Sequence, residues 1–230
     1  MHLGLIGGIG VAATLLYYQR LAGAVDAMGG TLDLTIVHAD ARTLVRNNMA
    51  DDRTAQAGVY ARLLERLTAA GCDCAAITSL GGHFCFDETV AVSPLPLISG
   101  VAPLDRALAA QGLDRVGLLG VGGVMRTRLY GQMRQTEAVV LEDEVDTLGL
   151  AYQEMAVAGH SSPAQRALFI DAGARMIRDL GAQAIVLAGT DLNLAFEGQS
   201  PGYPVVDALD VHVALLAEVV TGRVPLAQVT

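Results

Sequence analysis

The sequence predicts an α/β protein of two pseudo-symmetric lobes, each a parallel sheet flanked by helices, with a cleft between them. Three observations carry that expectation. Short, nearly continuous aliphatic runs alternate with stretches of helical spacing, as expected for parallel strands buried on both faces. The runs end in turns rich in glycine or hydroxyl residues. The chain also repeats itself. Leu5-Ile6-Gly7 is echoed by Leu118-Leu119-Gly120, an offset of 113 residues at which Gly4 meets Gly117, Thr14 meets Thr127 and Tyr17 meets Tyr130. Gly71 with Gly181, and Ser79 with Gly189, repeat at an offset of 110. The lobes are expected at residues 1–100 with 207–230, and at residues 101–206. Ligands are expected at the carboxyl ends of the strands, where open sheets bind them.

The elements follow in order. His2 to Ile6 reads as a strand, broken by Gly7, Gly8 and Gly10, and Ala12 to Leu21 as a helix. Leu32 to Val37 is the second strand. Asp40 to Asp52 is polar and reads as a loop or an irregular helix start. Thr54 to Ala69 is helical and stops at Gly71. Cys74 to Ile77 is a strand, Thr78 to Phe86 a turn, and Pro94 to Ile98 a short strand with proline at its start or edge. The second series is a strand at Arg115 to Leu119, a turn at Gly120 to Gly123 and a helix at Met125 to Met133. It continues with a strand at Glu137 to Leu141, a helix at Gln165 to Leu180 closed by Gly181, and a strand at Ala184 to Leu187. Gly189 to Gly202 reads as a loop and Asp207 to Val220 as the last helix.

Composition excludes several function classes. The hydrophobic share is 52%, which supports a packed core, and aromatics are only 4%, so that core is aliphatic. All 15 basic residues are Arg. Without Lys there is no Schiff base for pyridoxal phosphate and no Walker A loop. The net charge of -9 argues against a nucleic-acid partner. Three cysteines make no disulfide framework, and Cys72-Asp73-Cys74 is too tight for a zinc knuckle. The histidines are scattered, so neither a metal nor another cofactor is expected. Gly8-Ile9-Gly10 is too incomplete for a dinucleotide fingerprint. No Lys/Arg-bearing leader precedes the first apolar run, and no run of 18 apolar residues occurs, so a cytoplasmic location is expected.

The polar turns carry the candidate site. Gly8 can bring backbone amides to an anion or simply make a tight turn. Thr78, Ser79, Gly81 and Gly82 follow a buried strand and can hold a carboxylate. His83 can serve as an acid or anchor the turn. Cys85 can be reactive or face the core. In the second half, Gly189, Thr190 and Asp191 follow another buried strand. Asp191 can be a general base, can orient His212 or a substrate ammonium, or can cap the next segment. Asp207 and His212 near the last helix start read as supporting or solvent-facing groups. Arg42 can clamp a carboxylate through two parallel hydrogen bonds, or pair with Asp40, and Asn47 and Asn48 lie near it.

These turns resemble those of the cofactor-independent aspartate/glutamate racemase superfamily, which also contains hydantoin racemases, maleate isomerases and arylmalonate decarboxylases. Gly4-Leu5-Ile6-Gly7-Gly8-Ile9-Gly10 with Thr14, Tyr17 and Tyr18 looks like the family's start. Asp40-Ala41-Arg42-Thr43 looks like its Asp-Arg-Thr segment. Ile77 to His83 and Leu187 to Leu192 are similar to its two cysteine motifs, and Val206-Asp207-Ala208 with His212 to its closing segment. The resemblance implies proton removal and return at a substrate α-carbon, a carboxylate held by Arg42, and a homodimer. In the family two cysteines exchange the proton. Ser79 and Gly189 stand at those positions, so the expectation is a divergent racemase-like isomerase, its cysteine pair replaced by Ser79 and Gly189. Its proton transfer would fall to Ser79, His83 and Asp191, acting on a small acid such as aspartate or glutamate. The alternatives are a lyase or decarboxylase of the same superfamily, and a non-catalytic binder of small acids.

Overall fold

Four aliphatic runs in the first hundred residues become four parallel strands. In the computed structural model, which describes residues 1–230, these are β1 (His2–Gly7), β2 (Asp33–His38), β3 (Cys74–Ile77) and β4 (Leu97–Ile98), in the order β2-β1-β3-β4. The helices between them are α1 (Val11–Ala27), α2 (Ala41–Met49), α3 (Arg53–Ala69) and α4 (Phe86–Val92). Leu5 in β1 sits opposite Ile36 in β2 and Ala76 in β3. The core is aliphatic, with Leu3, Leu5, Ile6, Leu21, Leu64 and Leu67 among its fully buried residues. Glycine in the central strand lets α3 come close: a Cβ on Gly4 would lie 2.7 Å from Leu67 Cδ1. Within the polar stretch from Asp40 to Asp52, expected as a loop or an irregular helix start, Ala41–Met49 form a regular helix that ends before a turn at Asp51. Asp40 caps α2 by accepting from the Thr43 N–H and hydroxyl, and Asp52 caps α3 by accepting from the Ala55 N–H.

The second series builds α5 (Ala102–Ala110), β5 (Arg115–Leu119), α6 (Gly122–Arg126), β6 (Glu137–Val139), α7 (Val145–Ala158), α8 (Pro163–Leu180), β7 (Ala184–Leu187), α9 (Asn193–Phe196) and β8 (Val205–Asp207). Its sheet is parallel, in the order β6-β5-β7-β8. Strand for strand this is the order of the first sheet, so the sequence repeat is a repeat of structure. The echoed threonines do the same local work. Thr14 donates its hydroxyl to the Gly10 carbonyl at 2.8 Å, and Thr127 donates to the Gly123 carbonyl at 2.6 Å. The last helix, α10 (Ala208–Val220), follows β8 directly. The chain divides into two compact units, residues 1–100 with 212–230, and residues 101–211. No helix is long and apolar enough to cross a membrane.

The second unit departs from the expectations in two further places. The helix expected over Met125 to Met133 ends at Arg126. Arg128, Leu129 and Tyr130 have φ of 48°, 54° and 60°, and Gly131 follows at 70°. Left-handed residues cannot extend a right-handed helix. Thr127 holds this turn by accepting from the Tyr130 N–H at 2.9 Å through its hydroxyl and from the Gly131 N–H at 2.8 Å through its carbonyl. Helices α5 and α7 are absent from the sequence reading altogether. The buried residues of α7 (Val145, Leu148, Gly149, Tyr152 and Met155) do follow helical spacing. Its exposed positions include Leu150 and Val157, and that blurs the pattern.

Asp105 in α5 fixes the segment entering β6. Its buried carboxylate accepts from the N–H groups of Arg134 at 2.9 Å, Gln135 at 3.0 Å and Thr136 at 3.0 Å. Asp105→Ala leaves the buried Thr136 N–H without an acceptor and frees the other two to water. The expected loss is about 2–3 kcal/mol, since these are hydrogen bonds to a charged group. That lowers the melting temperature by roughly 4–10 °C for a chain of this size, measured by circular dichroism.

Candidate functional site

In the first unit the polar turns lie at the carboxyl ends of β1 and β3. Gly8 has φ of +89°, and a Cβ there would meet His38 Nδ1 at 2.2 Å, so only glycine fits. Its N–H is already held by the Thr14 hydroxyl at 2.9 Å. Thr78 leaves β3 with both its N–H and its hydroxyl directed at the Ile6 carbonyl, each at 3.1 Å. Ser79 is 9% exposed, and its Oγ accepts from the Gly82 N–H at 3.2 Å. The turn then tightens into a short 3-10 helix over Gly81–Cys85.

His83 is buried and ties this turn together. Its Nδ1 donates to the Ser79 carbonyl at 2.7 Å, and its Nε2 accepts from the Gly100 N–H at 3.0 Å. These partners fix the neutral tautomer with the proton on Nδ1. The ring stacks on Phe86 with centroids 5.1 Å apart. Burial pushes its pKa down to about 4, against the raising effect of the Ser79 carbonyl. His212 lies 6.5 Å from His83, ring to ring, and is fully buried. Its Nδ1 lies 2.9 Å from the Tyr17 hydroxyl, and its Nε2 makes no well-formed hydrogen bond. Burial, with His83 beside it, pushes His212 down to about 3. It is an interior histidine rather than a solvent-facing one.

Arg42 extends from the first turn of α2 and its side chain is exposed. The carboxylate of Asp40 is occupied by Thr43, whose hydroxyl and N–H chiefly hold its pKa below the usual range, with a smaller contribution from Arg42. Asn47 is buried and donates to Gln56 Oε1 at 2.9 Å, so it serves the α2–α3 packing.

The second unit places its turn after β7. Gly189, Thr190 and Asp191 lead into a 3-10 turn over Thr190–Leu192. Thr190 and Asp191 are both buried. A residue that sequence reasoning missed closes this turn. Tyr152 of α7 donates its hydroxyl to Asp191 Oδ2 at 3.2 Å, and a Cβ on Gly189 would fall 2.4 Å from the Tyr152 ring. Burial, then the Asp191 carboxylate, pushes the Tyr152 pKa well above its ordinary value. The helical spacing of α7 was the only signal that pointed to it. Asp207 accepts from the Leu209 N–H at 2.9 Å at the start of α10.

The cysteines correct one expectation outright. Cys72, Cys74 and Cys85 are all free, buried thiols. With three thiols held in the interior, the description of a cysteine pair replaced by Ser79 and Gly189 does not stand. Cys85 sits two residues after His83, with its Sγ 3.7 Å from the Thr89 hydroxyl. Cys74 lies in β3 with its Sγ 3.9 Å from the Met1 sulfur. Burial pushes both thiols up to about 11.

Solved structures share the fold. An Asp/Glu racemase candidate from Yersinia pestis is 23% identical, with a TM-score of 0.80 over 96% of this chain and 99% of its own. An aspartate racemase homologue from Pyrococcus horikoshii is 20% identical, with a TM-score of 0.75 over 95% and 98% of the two chains. A glutamate racemase from Francisella tularensis in complex with D-glutamate is 13% identical, with a TM-score of 0.63 over 96% and 82%. No curated protein sequence is significantly similar. Residues 6–216 match the family described as Asp/Glu/Hydantoin racemase.

The two buried imidazoles make stability acid-sensitive. Their folded pKa values of about 4 and about 3 lie below the ordinary 6.5. The unfolded chain therefore takes up protons first as pH falls. The contribution of these groups is full above about pH 6.5 and is lost progressively as pH falls, toward about 4 for His83 and about 3 for His212. His83 alone accounts for on the order of 3 kcal/mol across that window. Melting temperatures read between pH 7 and 4.5 should fall steadily, and His212→Gln should flatten the fall. A parent curve level over that range contradicts the assignment.

Proposed function

The chain belongs to the Asp/Glu/Hydantoin racemase family, and we propose that it is a cofactor-independent isomerase acting on a small carboxylic acid such as aspartate or glutamate. The observation that carries the reading is the family match over residues 6–216, which takes in both polar strand-end turns. Inversion at an α-carbon needs one group to remove the proton from one face and another to return a proton from the opposite face. Asp191 is assigned one of these steps and the Ser79 turn the other. A serine hydroxyl is a weak base, so on this reading it relays a proton, giving its own to the α-carbon as it takes one from water, and the hydroxide left is neutralised by the proton that Asp191 releases. His83, bound at both nitrogens by main chain, holds that turn in place.

Arg42 is the substrate's carboxylate clamp, because its guanidinium is exposed and a fork of donors matches two carboxylate oxygens. Thr78 and Thr190 border the two turns, where Gly8, Gly82 and Gly189 make room for His38, the Tyr60 hydroxyl and the Tyr152 ring. Proton transfer on this reading does not depend on a thiolate. Thiols pushed up to about 11 are protonated at neutral pH, which is the state of Cys74 and Cys85.

The test is α-proton exchange in deuterated water with each enantiomer of aspartate and glutamate, followed by NMR and chiral analysis. Exchange with inversion is the expected result. Carbon dioxide release without inversion makes the protein a lyase, and saturable binding without exchange makes it a binding protein. Arg42→Gln should lower kcat/KM about 10–100-fold, the loss of a charge-assisted bidentate contact. Asp191→Asn should abolish exchange, whereas Cys85→Ala should leave most of it. Activity that vanishes with Cys85 overturns the thiolate-independent reading.

A further inference from the structure

We propose that Tyr152 is a positioning residue that takes the side-chain space of position 189 and holds the Asp191 carboxylate with its hydroxyl. The inference rests on the proposed isomerase reading, in which Asp191 transfers a proton. Three observations, all within the second unit, converge on it.

The first is steric. An ideal Cβ at Gly189 would lie 2.4 Å from Tyr152 Cε2, 2.8 Å from Cζ and 3.1 Å from Cδ2. Real Cβ atoms do not approach aromatic carbons that closely, so the ring occupies the volume a side chain at 189 would need. Gly189 has an extended backbone with φ of -130°, which any residue can adopt. The glycine is therefore required by the ring and not by the backbone conformation.

The second is polar. The same ring carries its hydroxyl to the turn. It donates to Asp191 Oδ2 at 3.2 Å and lies 3.4 Å from the Asp191 N–H, with its oxygen as acceptor. One phenol thus contacts both the carboxylate and the main chain of a single residue, which restricts the rotation of that carboxylate. The Thr190 side chain is a further hydrogen-bond partner of the phenol.

The third is protonation. Buried beside a carboxylate, the phenol stays neutral and keeps the proton it donates. Tyr152 is buried at 9% exposure and is carried on a helix of 14 residues, so its position is set by a rigid element. Side chains that orient a catalytic group through a fixed hydrogen bond act on the chemical step rather than on substrate affinity.

The test joins kinetics to stability. Tyr152→Phe keeps the ring and removes the donor. The expected result is a kcat lowered about 10–100-fold, KM within about twofold of the parent, and a melting temperature within about 3 °C. An unchanged kcat in this variant, with the parent active, overturns the proposal while leaving the isomerase reading intact. A parent that exchanges no α-proton on any small acid sinks the isomerase reading itself, and the stability arm still decides the shared volume. Gly189→Ala should lower the melting temperature by several degrees in the parent and by much less in a Tyr152→Ala background. A loss as large without the ring as with it overturns the assignment of that space to Tyr152.

Discussion

A neutral imidazole bound at both nitrogens by main chain is the interaction on which the first unit's polar turn depends. His83 joins the Ser79 carbonyl, just after β3, to the Gly100 N–H, just after β4. Two loops at the ends of neighbouring strands are thereby fixed to one another. The backbone groups concerned are buried and would otherwise be left without partners, which costs more than the hydrogen bond itself contributes. The arrangement works only while the ring is uncharged, because a second ring proton would turn Nε2 from an acceptor into a donor facing the Gly100 N–H. Burial favours the neutral form and so protects the geometry.

The second unit solves the same problem with different chemistry. Its sheet repeats the first in strand order and direction, and its turn also follows the third-ranked strand, β7 in place of β3. Here the polar centre is a carboxylate, and what steadies it comes from outside the turn. Tyr152 reaches Asp191 from α7, and Gly189 is small where the ring passes. A duplicated scaffold has thus kept its hydrogen-bonded framework, down to the threonine that bonds back to a glycine carbonyl four residues earlier. The chemistry on that framework has diverged.

Much of this scaffold was legible in the sequence. Strands β3, β5 and β7 begin and end where their aliphatic runs do, because a strand buried on both faces leaves an unbroken apolar signature. The repeat was legible because central strands and the glycines beside them tolerate little change. Helix α7 was not, since apolar residues on its exposed side dilute its periodicity. The site was legible only in part. Ser79, His83 and Asp191 drew notice as polar residues after buried strands, but their partners are backbone groups and a tyrosine 39 residues away. No local spacing reports such contacts.

The position of Gly189 shows what kind of information is lost in a linear reading. A glycine after a buried strand invites the conclusion that a functional side chain is missing there. In the folded protein the space is filled by a phenol from another element. Side-chain volume at a turn belongs to whichever residue reaches it, and close packing means that two residues cannot both have it. A polar atom can therefore be present at a site whose own residue is glycine. Inferring lost chemistry from a glycine in one chain requires knowing what fills its place, and here that is an aromatic ring carrying a hydroxyl.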